Sequence, residues 1–184
     1  MKIVSDGRLA SVNEGIIDGA AERIARLEDR IRIEELLAHY ARCVDTQDAA
    51  GVAAAFLPDG CICGPNLQPV VGSERIHKLY RRLLSAMKSS LHLVGSQQVL
   101  FESPNCAVVH AAFYAWDSYL DEADPDCYSF GFYEAKALKE EDGEWRLSAL
   151  NIHFAGQLDS SSVPYPGGRA CEQFGRPWPP TVFK

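Results

Sequence analysis

The hydrophobic pattern of this chain changes period once, close to residue 90, and that change restricts the fold more than any other feature. From Gly19 onward Ile24, Leu27, Ile31, Leu36 or Leu37, Tyr40 and Val44 recur at three- and four-residue steps among charged residues, which predicts a long amphipathic helix, broken at most once. Asp45-Thr46-Gln47-Asp48 offers a stop and a new N-cap, followed by a short helix over 49–57 that Pro58-Asp59-Gly60 closes as a turn. A strand-like piece spans 68–71, and Gly72-Ser73 precedes a third helix from Glu74 to about Lys88, with Ile76, Leu79, Tyr80, Leu83 and Leu84 as its apolar face. Beyond that point the period is two. Segments 91–101, 106–119, 127–139 and 145–157 read as strands, separated by Ser103-Pro104-Asn105, by 121–126 and by Glu141-Asp142-Gly143. Helices first and long antiparallel strands afterwards is an α+β arrangement, and no internal repeat is visible.

The 184 residues suit one domain, and a hydrophobic content of 47% can bury a core. The expected layout is a mobile N-terminal arm over 1–18, a domain over 19–157 and a C-terminal arm over 158–184. Prolines bar that last stretch from regular structure, yet Tyr165, Phe174, Trp178 and Phe183 are too apolar for a plain disordered tail, so it reads as an extended arm packed on the cavity mouth or on a neighbouring subunit. A net charge of −7 argues against nucleic-acid and anionic-membrane partners, and the one basic cluster, Lys78, Arg81 and Arg82, reads as a solvated helix face. No apolar run approaches membrane-spanning length and the N-terminus lacks a secretory pattern, which points to the cytoplasm. The six cysteines are scattered and read as reduced thiols. Cys61-Ile62-Cys63 lacks a second pair or a histidine at zinc-ligand spacing, so these residues read as small fillers on a strand and no metal is expected.

Two residues carry the candidate chemistry. Asp45 ends the first helix and His92 opens the first long strand; together they could form a carboxylate-oriented imidazole, the simplest device for moving a proton near neutral pH. The bland alternative is a helix-terminal Asp and a core histidine. Five positions on a helix turn through about 140° net, so Tyr40 and Asp45 can reach one cavity only if Asp45 lies where the helix stops. His39 and His77 read as helix-surface residues. On the strands, alternation groups His110 with Ala112, Tyr114 and Trp116, and His153 with Asn151 and Ala149; one such set is expected to line the pocket, which makes Tyr114, Trp116 and Asn151 candidate substrate contacts.

Helices followed by a curved sheet, the spacing Tyr-x-x-x-x-Asp over 40–45 and Leu-His-x-x-Gly over 91–95 resemble the SnoaL-like branch of the nuclear-transport-factor-2 (NTF2)-like superfamily, over roughly 28–154. Within it the chain is most similar to scytalone dehydratase, hexachlorocyclohexane dehydrochlorinase and bile-acid 7α-dehydratase. The resemblance implies a cone: N-terminal helices on a strongly curved, mostly antiparallel sheet enclosing a cavity. It places the catalytic aspartate on Asp45, the catalytic histidine on His92 and a substrate-directed tyrosine on Tyr40. It also implies a cofactor-independent lyase acting on a hydrophobic aromatic or polycyclic small molecule, losing water, a halide or, by retro-aldol cleavage, formaldehyde. Two departures set this chain apart: a second active-site tyrosine would fall near Cys63 or Gly64, and the dehydrochlorinase arginine near Leu150, where neither residue type occurs. Relatives by fold also include ketosteroid isomerases, polyketide cyclases and the catalytically silent β-subunits of ring-hydroxylating dioxygenases. The three enzymes imply a homo-oligomer, a trimer ahead of a dimer.

Overall fold

A computed structural model describes residues 19–64 and 67–159 of the chain. Three helices, α1 (Ala20–Asp45), α2 (Ala49–Ala54) and α3 (Ser73–Leu84), lie against one six-stranded sheet. Its strands are β1 (Phe56–Gly64), β2 (Leu67–Val71), β3 (Met87–Ser103), β4 (Cys106–Tyr119), β5 (Cys127–Lys139) and β6 (Trp145–Asp159), in the order β2-β1-β6-β5-β4-β3. All pairings are antiparallel except that of β1 with β6. The sheet is open and the fold is α+β, a helix-lined cone.

α1 stops where the site requires. Gln47 takes a left-handed φ of 58°, the amide of Thr46 donates to the Arg42 carbonyl at 2.8 Å, and the Asp48 carboxylate caps α2 by accepting from the Gly51 amide at 2.8 Å. The Gln47 side chain then donates to the Met87 carbonyl at 2.8 Å and ties this corner to the start of β3. In β3, Ser96 has φ of 50° and the register with β4 slips between Gly95 and Gln98. The resulting bulge bends the strand around α1.

The buried stripe of α1 differs from the expected one. Asp29, Ile33, Leu37, Tyr40, Ala41, Cys43 and Val44 face inward, whereas Ile24, Leu27 and Ile31 are 56%, 59% and 54% exposed. Two stripes of similar spacing compete on this helix, and contacts with β3 choose between them: the Arg26 and Arg30 guanidinium groups stack over Phe101, at 3.6 and 5.8 Å from its centroid, and Arg30 also donates to the Val99 carbonyl at 3.2 Å.

Several boundaries are corrected as well. α2 ends at Ala54, because Phe56 already belongs to β1. Pro58-Asp59-Gly60 lies within β1, at a register irregularity against β6 between Phe56 and Cys61, the kind of place a sheet tolerates proline. A Cβ on Gly60 would come within 2.8 Å of the Leu147 carbonyl oxygen, so only glycine permits that approach. α3 ends at Leu84, and β3 takes over from Met87. β6 runs to Asp159, two residues past the expected domain limit; the rest of the expected C-terminal arm and the N-terminal arm lie outside the described residues.

The core gathers Ile33, Leu37 and Val44 of α1, Ile76 and Leu84 of α3, and Val109, Leu147 and Leu150 of the sheet. A buried acid fixes the far end of α1: the Asp29 carboxylate accepts from Trp145 Nε1 at 2.9 Å and from Lys139 Nζ at 2.8 Å. Replacing Asp29 by Ala strands a buried indole N–H and loses a charge-assisted bond. Asp29→Ala is expected to destabilise the protein by about 1–3 kcal/mol, read as a lower denaturation midpoint. An unchanged midpoint would show that the contact carries no net stability. Cys43, Cys61, Cys63, Cys106 and Cys127 are thiols outside any disulfide, and among the described residues no helix is long and apolar enough to cross a membrane.

Candidate active site

α1 and β3 bring Asp45 and His92 together. Asp45 Oδ1 lies 2.7 Å from His92 Nδ1 and 3.1 Å from Ser90 Oγ, while Asp45 Oδ2 accepts the backbone N–H of His92 at 3.0 Å. A carboxylate only accepts, so Nδ1 carries a hydrogen, and in the neutral imidazole Nε2 keeps its lone pair. The side chains of His92 and Asp45 are 13% and 19% exposed, and the imidazole borders a cavity of about 190 Å³.

The cavity lies between α1, α3 and the concave face of the sheet. Leu83, Leu84, Met87, Phe113, Ile152 and Phe154 make its walls apolar, and Tyr40, Tyr80, Tyr119, Tyr133, Ser129 and Asp117 supply the polar groups. Tyr40 and Tyr80 share one hydrogen bond, with oxygens 2.6 Å apart and either able to donate. One of their two protons therefore stays available whichever way the bond runs. Burial pushes the Tyr40 hydroxyl well above its ordinary range, with the neighbouring Tyr80 and Tyr133 adding to the rise. Burial takes Tyr80 up to about 12, against the opposing hydrogen bond from Tyr40, and raises Tyr133 strongly too. These phenols keep their protons at neutral pH, so they serve as donors and not as bases.

Asp117, Tyr80 and Ser90 escaped the sequence reading. Tyr80 lies on the buried face of α3, as its spacing predicts, and its hydroxyl supplies the cavity with a second tyrosine where none stands near Cys63 and Gly64. Asp117 belongs to the other alternation set of β4, with Phe113 and Ala115; a lone acid in an otherwise apolar set was the available signal. That parity also corrects the expected pocket wall. The cavity takes Phe113, Asp117 and Tyr119 from β4 and Ile152 and Phe154 from β6, so Tyr114, Trp116 and Asn151, one residue out of phase, stand on the opposite face of the sheet. There Tyr114 is 45% exposed, Trp116 Nε1 donates to Asp126 at 3.1 Å, and Asn151 is buried beside Cys63 and Glu134. His110 and His153 share that face, with His153 Nε2 3.5 Å from Glu134 Oε2. Among the described residues no group of three or more His, Cys, Asp or Glu side chains is placed to hold a metal ion.

Fold and site together define an open α+β cone of the NTF2-like kind, with a carboxylate-bound imidazole in the wall of its cavity. The chain belongs to the SnoaL-like domain family, whose profile matches residues 25–151. Among solved structures, a candidate scytalone dehydratase from Novosphingobium aromaticivorans DSM 12444 superposes with a TM-score of 0.70 at 19% identity, over 77% of this chain and 93% of that one. A type 2 hexachlorocyclohexane dehydrochlorinase, LinA, gives 0.70 at 18% identity, over 79% and 99%. A candidate aromatic ring hydroxylase, also from Novosphingobium aromaticivorans, gives 0.67 at 22%, over 73% and 94%. At these identities the likeness is one of fold. No curated protein matches the chain.

Proposed function

We propose that this protein is a lyase for a small hydrophobic molecule, working by proton abstraction without a cofactor. The observation that carries the reading is the Asp45–His92 contact of 2.7 Å on an imidazole that borders an apolar cavity. His92 Nε2 takes a proton from carbon, Asp45 fixes the tautomer and stabilises the imidazolium that forms, and the Tyr40–Tyr80 pair donates to the carbonyl oxygen on which charge develops. The names of two structural neighbours, a candidate dehydratase and a dehydrochlorinase, support elimination as the reaction class. The cavity volume of about 190 Å³ is only slightly above the ~150 Å³ that admits benzene, which favours a one-ring or compact two-ring substrate over a larger polycycle. The test is deuterium exchange at the carbon next to the carbonyl of a cyclic aryl ketone in D₂O. Exchange that the protein accelerates and His92→Ala abolishes supports the reading; exchange unaffected by that substitution sinks it.

We assign the sheet face that carries Leu91, Leu93 and Tyr114, which are 53%, 59% and 45% exposed, to contact with further copies of this chain. Among the described residues no helix covers these side chains, and they adjoin one another in register across β3 and β4. Light scattering is expected to give a homo-oligomer, a trimer by analogy with the enzymes named above. A monomer at micromolar concentration would contradict it.

A further inference from the structure

The cavity contains an acid that proton abstraction by His92 leaves unemployed. Asp117 pairs with Ser90 in the β3–β4 register, and Ser90 is the residue whose hydroxyl donates to Asp45. Its carboxyl thus stands across the strand pair from the Asp45–His92 contact, in the same cavity wall. Asp117 Oδ1 is buried and has no hydrogen-bond partner among the described residues. Nearby polar groups already have their tasks: Asp45 accepts three hydrogen bonds, and the one free proton of the Tyr40–Tyr80 pair is directed at the carbonyl oxygen in the reading above. A buried polar atom left open in a cavity costs stability, and such atoms concentrate where a ligand or a proton is to be received.

We propose that Asp117 is the proton donor of this site, delivering its proton to the oxygen that leaves the substrate, and hence that the substrate bears a hydroxyl on the carbon next to the one His92 deprotonates. This rests on the reading of His92 as the base. The groups facing Asp117 are Asp45 from α1, His92 from β3, Tyr119 on its own strand and Tyr133 from β5. Burial pushes the Asp117 carboxyl up, His92 opposes that rise, and the Asp45 carboxylate adds to it. Two carboxyls so placed do not both ionise easily, and three donors hold the Asp45 side chain whereas Asp117 Oδ1 has none, which favours the proton on Asp117. The acid is therefore available below its raised pKa and lost as pH climbs through it.

The step balances. The C–H proton goes to His92 Nε2, its electron pair forms the C=C bond, and the C–O bond breaks with its electrons on oxygen. That oxygen takes the Asp117 proton and departs as water. Return of the imidazolium proton to the Asp117 carboxylate restores both groups. Chloride leaves as a stable anion and needs no such donor, whereas hydroxide is a poor leaving group, so a buried acid on the strand beside the base favours loss of water over loss of halide.

A matched pair of cyclic aryl ketones carrying hydroxyl or chloride at the β-carbon tests the assignment. Asp117→Asn is expected to lower turnover of the hydroxyl compound by about a hundredfold and that of the chloride by less than about threefold, while His92→Ala lowers both. Equal loss on the two probes, or loss on neither, with Asp117→Asn overturns the donor role and leaves the base intact; loss on neither with His92→Ala overturns the base and the proposal together. Carbon-13 carboxyl titration of the full-length protein gives a readout that needs no turnover. Asp117 should titrate above the ordinary aspartate range, and lower in Asp45→Asn than in the unsubstituted chain. Titration within the ordinary range would overturn the proposal.

Discussion

His92→Ala is expected to lower turnover by about two to four orders of magnitude, some 3–5 kcal/mol of transition-state stabilisation, while the melting temperature barely moves. The separation of effects follows from what the substitution leaves behind. Asp45 keeps the backbone amide of residue 92 at 3.0 Å and the Ser90 hydroxyl at 3.1 Å, so its carboxylate stays solvated by donors and the junction of α1 with β3 survives. The imidazole goes, and with it one of the three donors to Asp45 and Nε2, the one lone pair positioned as a base. A folded His92→Ala protein with near-normal turnover would place proton abstraction elsewhere and end the reading built on this pair.

Asp45→Asn is expected to cost somewhat less, about one to three orders of magnitude, through a change of tautomer. The backbone N–H of His92 needs an acceptor, so it draws the amide oxygen of the new side chain towards itself and turns the amide NH₂ towards Nδ1. Nδ1 must then accept, and the ring hydrogen moves to Nε2, where it blocks the abstraction. Nitrogen-15 chemical shifts of the imidazole should report the exchange of roles, since pyrrole-type and pyridine-type nitrogens resonate far apart. A variant that loses activity with Nδ1 still protonated would mean that Asp45 acts by charge alone.

The helical half of the fold was legible because its period of three to four residues ends sharply at Asp45, and the four long strands because alternation sustained over a dozen residues suits a half-buried strand and no helix. Within those elements, the choice of face was not legible. Both α1 stripes have helical spacing, and both alternation sets of β4 contain aromatics, so phase depends on what lies opposite, which a single strand does not encode. The Asp45–His92 pair could be read because Asp45 ends α1, where connection geometry limits its position, and because His92 is the one imidazole of the first long strand, although that strand starts five residues before it. Tyr80 and Asp117 sit inside elements and look like core or surface until α3 and β4 are placed around one cavity. β1 was obscured by Pro58 and Gly60, which signal a turn in sequence and mark an irregular stretch of strand in the sheet.

The parallel pairing of β1 with β6 sets the order in which the molecule can assemble. β1 lies between its hairpin partner β2 and the final described strand, with Cys61 beside Ala149 and Ile62 beside Leu150. During synthesis the three helices and the first two strands emerge early, yet the sheet has no place for β1 until β6 has left the ribosome. Contacts so distant along the chain are reached slowly, which puts this topology among the folders of milliseconds to seconds. A nascent chain halted before Trp145 already holds Asp45 and His92, but it lacks Ile152 and Phe154, and with them one wall of the chamber in which the pair would meet a substrate.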